Sequence, residues 1–203
     1  ILTNVTNKNA AEYGIIYAFN IRNNSLLPIS SINIEGVPAA ISPLQDQFVD
    51  SALVCTGSTI ESVSCQNRSL IVSQVPWLGR SRGITVTTTC IDSKFIEGSD
   101  HIRHLAICTG DVLSGVTLHT EDTTVSEFAS RFTVDVCLTS PGGDTIVLAS
   151  DSARQVSVLW PHDRRLREVG RVYIGEQVNK IIANEDGSEA LLLGIEGGIY
   201  CLR

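Results

Sequence analysis

His101 and His104, in His-Ile-Arg-His, stand three apart with Asp100 beside them, residue types that can bind a metal ion. Histidines three apart reach one ion only on a helix or with further ligands. Here they stand in a polar stretch that leads into a strand-like run, so they read as surface loop histidines. Asp111, Asp144, Asp151 and Asp186 sit in turn-like settings rich in Gly and Ser. A carboxylate in such a place bonds nearby backbone amides, and no catalytic carboxylate pair is identifiable. There is no G-x-S-x-G elbow and no phosphate-binding P-loop, so no catalytic residue, cofactor or metal is assigned. The basic run His162-Asp-Arg-Arg-Leu-Arg167 lies between two strand-like segments and reads as a solvated loop. Its Arg164 and Arg165 are suited to phosphate or an acidic partner. Trp77 and Trp160 end strand-like runs, where a large residue closes a sheet; Trp160 is also a candidate anchor for a partner protein.

The composition limits what these residues can serve. The chain has 203 residues, 43% of them hydrophobic and 18% charged, and a net charge of −7. That is the balance of a soluble globular protein with a sizeable core, not of a disordered tail or a coiled coil. No apolar run is long enough for a membrane-spanning helix. Fifteen Lys and Arg against 22 Asp and Glu argue against a domain that grips nucleic acid mainly through phosphates. Six cysteines, at 55, 65, 90, 108, 137 and 201, fall in apolar strand-like stretches without a C-x-x-C. They read as reduced core thiols, with disulfides in a secreted module as the alternative. The sequons at Asn4, Asn23 and Asn67 are about what chance supplies in a Ser- and Thr-rich chain. The chain holds no methionine and begins at Ile1, which fits a piece of a larger protein.

The elements that must position these residues are short β runs punctuated by Gly, Asp, Ser and Pro. They include Gly14–Asn20, Ile29–Glu35, Thr85–Asp92, Phe132–Thr139, Gln155–Trp160 and Val169–Ile174. Only Asp122–Arg131 suggests a turn or two of helix. Four segments share a strand–turn–strand pattern, beginning at Ala52, Leu105, Ile146 and Ala190. Their offsets, roughly 53, 41 and 45 residues, match the period of a four-stranded propeller blade. In this alignment Cys55, Cys108, Ala149 and Leu193 share one position. Equivalent positions on neighbouring blades rarely come within bonding distance, which disfavours a Cys55–Cys108 bridge.

The expected fold is therefore all-β: a partial, WD40-like β-propeller of four-stranded antiparallel blades. Its units run approximately over 1–35 (partial), 36–75, 84–131, 132–174 and 175–203 (partial). A β-sandwich is the competing architecture. An incomplete ring exposes unpaired edges, so the remaining blades are expected from the same parent chain.

The last third carries a resemblance. Leu166-Arg-Glu-Val-Gly-Arg-Val-Tyr-Ile-Gly-Glu-Gln-Val-Asn179, followed by Gly197-Gly-Ile, resembles the closing blades of a family of giant propeller proteins. Its members are DNA-damage-binding protein 1, the large subunit of the cleavage and polyadenylation specificity factor, and subunit 3 of splicing factor 3b. Thr109-Gly-Asp-Val-Leu-Ser-Gly-Val-Thr-Leu118 is similar to the family's glycine–aspartate turn and the strand after it. Gly14-Ile-Ile-Tyr-Ala-Phe, Ile34-Glu-Gly-Val37 and Leu53-Val-Cys-Thr-Gly-Ser58 resemble the preceding blade.

The resemblance implies a non-catalytic scaffold in a nuclear multi-subunit complex, its propellers gripping other protein subunits. The complex would be a cullin-4 ubiquitin ligase, or a machine for splicing or 3′-end processing of pre-mRNA. RNA or DNA contact would be indirect, with no membrane involved. By motif alignment, a cleft arginine of the ligase adaptor falls on Ser114 and a cleft tryptophan on Arg131, which departs from that adaptor's receptor-gripping surface. Ser114, Arg131, Trp160, Arg164 and Arg165 are thus the candidate partner-binding residues. Two other readings stand beside this one: a propeller enzyme or small-ligand domain using Asp111 and Asp151, and the secreted disulfide module.

Overall fold

The computed structural model describes residues 13–45, 50–56, 59–75, 78, 88–97, 103–113, 115–121, 125–129, 132–184 and 186–203. The chain is a partial β-propeller. A hairpin of β1 (Tyr13–Arg22) and β2 (Ser25–Glu35) comes first. One antiparallel sheet follows in the order β3 (Ala40–Gln45), β4 (Asp50–Cys55), β5 (Ile60–Gln66) and β6 (Ser69–Gln74). The next has β7 (Thr88–Glu97), β8 (Arg103–Asp111), β9 (Gly115–Thr120) and β10 (Val125–Phe128). A third four-strand meander has β11 (Thr133–Thr139), β12 (Ile146–Asp151), β13 (Gln155–His162) and β14 (Arg165–Tyr173). A three-stranded sheet of β15 (Val178–Ala183), β16 (Ala190–Gly194) and β17 (Ile199–Leu202) ends the chain. The second and third meanders join through one parallel pairing of their outermost strands, Glu127 with Arg165.

The first strands β3, β7, β11 and β15 are neighbours around the axis, and outer strand β2 lies against β6. Alternating side chains of each sheet point to opposite neighbours, and the core forms between sheets. Leu53, Cys55 and Ile60 meet Ile91, Leu105 and Ile107. Cys90, Ala106, Cys108, Val116 and Leu118 meet Val136, Leu138, Val147, Ala149 and Leu159. Leu148 and Val156 meet Ile181, Ala190 and Leu192, while Val54 and Val63 close on Ile34. Each such buried Leu, Ile or Val stabilises the stack by about 1.5–3 kcal/mol relative to exposure.

Three details differ from the sequence reading. Residues Val125–Phe128, placed above in a short helix, form β10, because the blade needs a fourth strand beside β9 and Val, Ser and Phe pair there with Leu118, His119 and their neighbours. The basic run is not a loop: only Asp163 and Arg164 turn, both at positive φ, and Arg165 and Arg167 are already in β14. The equivalence of Cys108 with Ala149 and Leu193 slips, by one residue at Ala149 and by two at Leu193. Cys108 pairs with Asp92, and the partners at the corresponding places are Leu148 with Cys137 and Leu191 with Ile182. Bulges in the inner strands at Thr89, Val134 and Asn179, evenly spaced along the chain, set that register.

All six cysteines are free thiols: four buried, Cys65 half-buried and Cys201 exposed. No described helix is long and apolar enough to cross a membrane.

Candidate functional site

The inner strands leave one edge of backbone donors facing the axis, and such donors need partners. Two aspartates supply them. Asp92 on β7 accepts the amide of Leu138 on β11 at 2.7 Å, and that of Ser93 at 2.9 Å. Ser42 Oγ donates to the same carboxylate at 3.3 Å, which brings in β3. One blade on, Asp135 of β11 accepts the amide of Ile181 on β15 at 2.7 Å and Lys180 Nζ at 3.1 Å. Thr89 Oγ1 donates to the Thr133 carbonyl at 2.9 Å, so the bulged residue of β7 also reaches the next blade.

Burial pushes both carboxyls above the usual range, and the amide bonds offset part of that rise. Burial would lower Lys180, but the charge and hydrogen bond of Asp135 outweigh it and hold the ammonium above its usual range. The two shifts pull the ion pair in opposite senses. With Nζ 3.1 Å from Oδ1 and half of Lys180 in solvent, the charged pair prevails at neutral pH. Along these strands runs a groove of about 570 Å³ whose polar lining includes Ser42, Asp92, Ser93, Lys94, Lys180 and Asn184. Its acid is already spent on blade-to-blade bonds, which makes this a clasp with a shallow binding surface alongside.

The second arrangement is at the rim. The β13–β14 hairpin sets Trp160 opposite Arg167 and His162 opposite Arg165. Residues two apart on a strand share a face, so these four form one patch. The Trp160 and His162 rings stack with centroids 5.3 Å apart and planes at 16°. Asp163 lies under the tip, 3.0 Å from His162 Nε2 and 4.0 Å from Arg167. Arg164 and Arg165 are exposed and make no ion pair among the described residues.

Of the sequence-predicted residues, Trp160, Arg164 and Arg165 thus share one hairpin tip. Ser114, Arg131, Trp77, Asp100 and His101 lie outside the described residues. His104 stands on β8, 3.5 Å from Glu121. Asp111 accepts the Leu113 amide at 2.6 Å, and Asp151 those of Ala153 and Gln155. Each closes its own hairpin, and neither lines the axial groove. Among the described residues no group of His, Cys, Asp or Glu is placed to hold a metal ion.

Sequence reasoning passed over Asp92, Asp135 and Lys180. The signal was an acid inside an otherwise apolar strand, as in Thr-Val-Asp-Val-Cys, where burial demands a partner. Glu176 was also passed over. It is buried between β14 and β15 and accepts the Glu196 amide at 2.6 Å and the Tyr200 hydroxyl at 2.7 Å. The bonds from Tyr200 and Glu196 hold its carboxyl below the usual range.

The chain matches no protein-family model, and no curated protein matches it.

Proposed function

We propose that this chain is part of a non-catalytic propeller scaffold that holds protein subunits together in a nuclear complex. The observation that carries the reading is the pair of apolar sheet faces at the two ends of the stack. At one end Tyr13, Tyr17, Phe19 and Ile21 alternate along β1 on the side away from the core and are 45–72% exposed. At the other, Ile182, Leu191 and Ile199 lie outward on the last sheet, 46–72% exposed. Contiguous apolar area of this kind marks an interaction surface. Further blades of a parent chain are the natural cover, since every described interior face of the stack is covered by a neighbouring sheet.

The motif resemblance to the DNA-damage-binding protein 1, polyadenylation-factor and splicing-factor 3b family supplies the type of complex. A cullin-4 ubiquitin ligase or a pre-mRNA-processing assembly is the expected setting, with any RNA or DNA reached through other subunits. The test is native affinity purification of the tagged full-length protein from nuclear extract. Stable co-purification of ligase or RNA-processing subunits is expected. Recovery as a monomer without partners overturns the reading.

A small-ligand reading draws on the axial groove, whose polar lining includes Lys180, paired with Asp135, and Asn184, bonded to Ser188 and Glu189. Its mark is a ligand-dependent rise in unfolding temperature that disappears in Lys180→Ala.

A further inference from the structure

We infer that the tip of the β13–β14 hairpin docks an acidic peptide segment of a partner protein. The inference rests on the scaffold reading and names the chemistry of one of its partners. Trp and Arg are the side chains that most often anchor protein interfaces, and here both types share a single sheet face. Trp160 is 42% exposed although its ring is already held flat against His162. A platform fixed by stacking loses little side-chain freedom when a partner settles on it. Arg165 and Arg167 flank the rings as cross-strand neighbours, and Arg164 projects from the turn between them. Asp163 stands against one of these three guanidiniums and Glu127, paired with Arg165 across the sheet, stands beside a second, which still leaves positive charge in excess at the tip.

That excess belongs to a chain whose net charge is −7. An acidic segment is repelled by most of such a molecule and attracted at this tip, so charge selects the place of docking as well as the partner. Guanidinium groups bind carboxylates through paired N–H donors, and an apolar side chain of the segment covers the Trp160 face. Single-stranded nucleic acid also stacks on aromatic rings, but it needs a basic groove that follows its backbone. One hairpin tip on an acidic chain does not provide that track.

The experiment uses the full-length protein and a fluorescently labelled peptide of Asp and Glu residues around a central Phe, followed by anisotropy. A Ser/Gly peptide and an oligouridylate RNA of equal length serve as competitors. The acidic peptide should bind and weaken with added salt. Arg165→Gln/Arg167→Gln should weaken it by at least about tenfold. Trp160→Ala should weaken it as well, and Arg22→Gln, in a different hairpin, should leave it unchanged. Arg165 and Arg167 are exposed strand residues, so their double substitution keeps the test open if Trp160→Ala fails to fold.

No binding of the acidic peptide, equal binding by the double variant, or preferential binding of the RNA overturns the inference. Failure here with subunits still co-purifying leaves the scaffold standing. If the unsubstituted protein recovers no subunits, the scaffold reading itself falls.

Discussion

His119 carries a cost that acid should expose. It is 2% exposed on β9, and its Nδ1 has no hydrogen-bond partner among the described residues. Burial lowers its pKa from 6.5 to about 4. The unfolded chain therefore takes up a proton at a pH where the folded chain refuses one. The neutral imidazole's contribution is complete above pH 6.5 and is lost as the pH falls through 4. That loss is about 3 kcal/mol. His119→Leu should flatten the fall in urea midpoint between those two pH values. Asp92 and Asp135, raised by burial, act in the other sense. What they contribute is full below the ordinary aspartate value and fades as the pH rises through their folded values, so they temper the acid loss. The cysteines give a second reading at this scale. Burial pushes Cys90 up to about 12 and Cys137 to about 11, so their thiolates are scarce at neutral pH. A maleimide should label Cys201 first and reach Cys55, Cys90, Cys108 and Cys137 only after unfolding, as read by mass spectrometry.

Between neighbouring strands the clasps decide. In Asp135→Ala the Ile181 amide loses its acceptor in a buried position, at a cost of about 1–3 kcal/mol. Relief of a buried charge offsets part of this, but an orphaned amide has no compensation. Asp135→Asn keeps an acceptor and drops the charge, so it should be nearly neutral in denaturant melts. Hydrogen exchange at Ile181 should quicken in the Ala variant alone.

Turn chemistry makes a separate prediction. Three hairpins turn on two residues at positive φ: Asn23-Asn24, Asn67-Arg68 and Asp163-Arg164. A left-handed backbone suits Asn and Gly and is strained for Arg. Arg68→Gly should stabilise the fold by about 1 kcal/mol, seen as a higher urea midpoint. At the β16–β17 turn the requirement is for space. A Cβ at Gly194 or Gly198 would fall on the Glu176 carboxylate. Gly198→Ala should break the bonds to Glu196 and Tyr200 and lower the unfolding temperature, whereas Ala at Gly142, with open space around it, should not clash.

These elements also show what was legible in advance. Val at every second place, in Thr-Val-Asp-Val-Cys and Gln-Val-Ser-Val-Leu, announced β11 and β13 nearly to their ends, because successive side chains of a strand point to opposite faces. The β13–β14 tip was missed as structure because charge was taken for a loop, while pairing at a sheet's rim leaves charged side chains in water. β10 was missed because four residues carry no period. The bulges at Thr89, Val134 and Asn179 left no compositional trace, and with them went the true alignment of Cys108. Asp135 stood out only as an acid in an apolar strand and Glu176 not at all, since the groups that hold them (the Ile181 amide and Lys180, the Glu196 amide and Tyr200) are brought there by the fold.

At the scale of the molecule, the stack of sheets is held by apolar faces between blades and by inner-strand carboxylates around the axis. The same logic that buries Leu53 against Ile107 leaves Tyr17 and Phe19 uncovered at one end, with ring centroids 6.3 Å apart, and Ile199 uncovered at the other. In the scaffold reading these end faces are interior surfaces of a larger assembly. Covalent footprinting with hydroxyl radicals, comparing the isolated chain with the natively purified full-length protein, measures this directly. Tyr13, Tyr17, Phe19 and Ile199 should be labelled in the isolated chain and protected in the native assembly, with core Leu53 and Leu192 protected in both. Equal labelling of the end faces in the two samples would contradict the account.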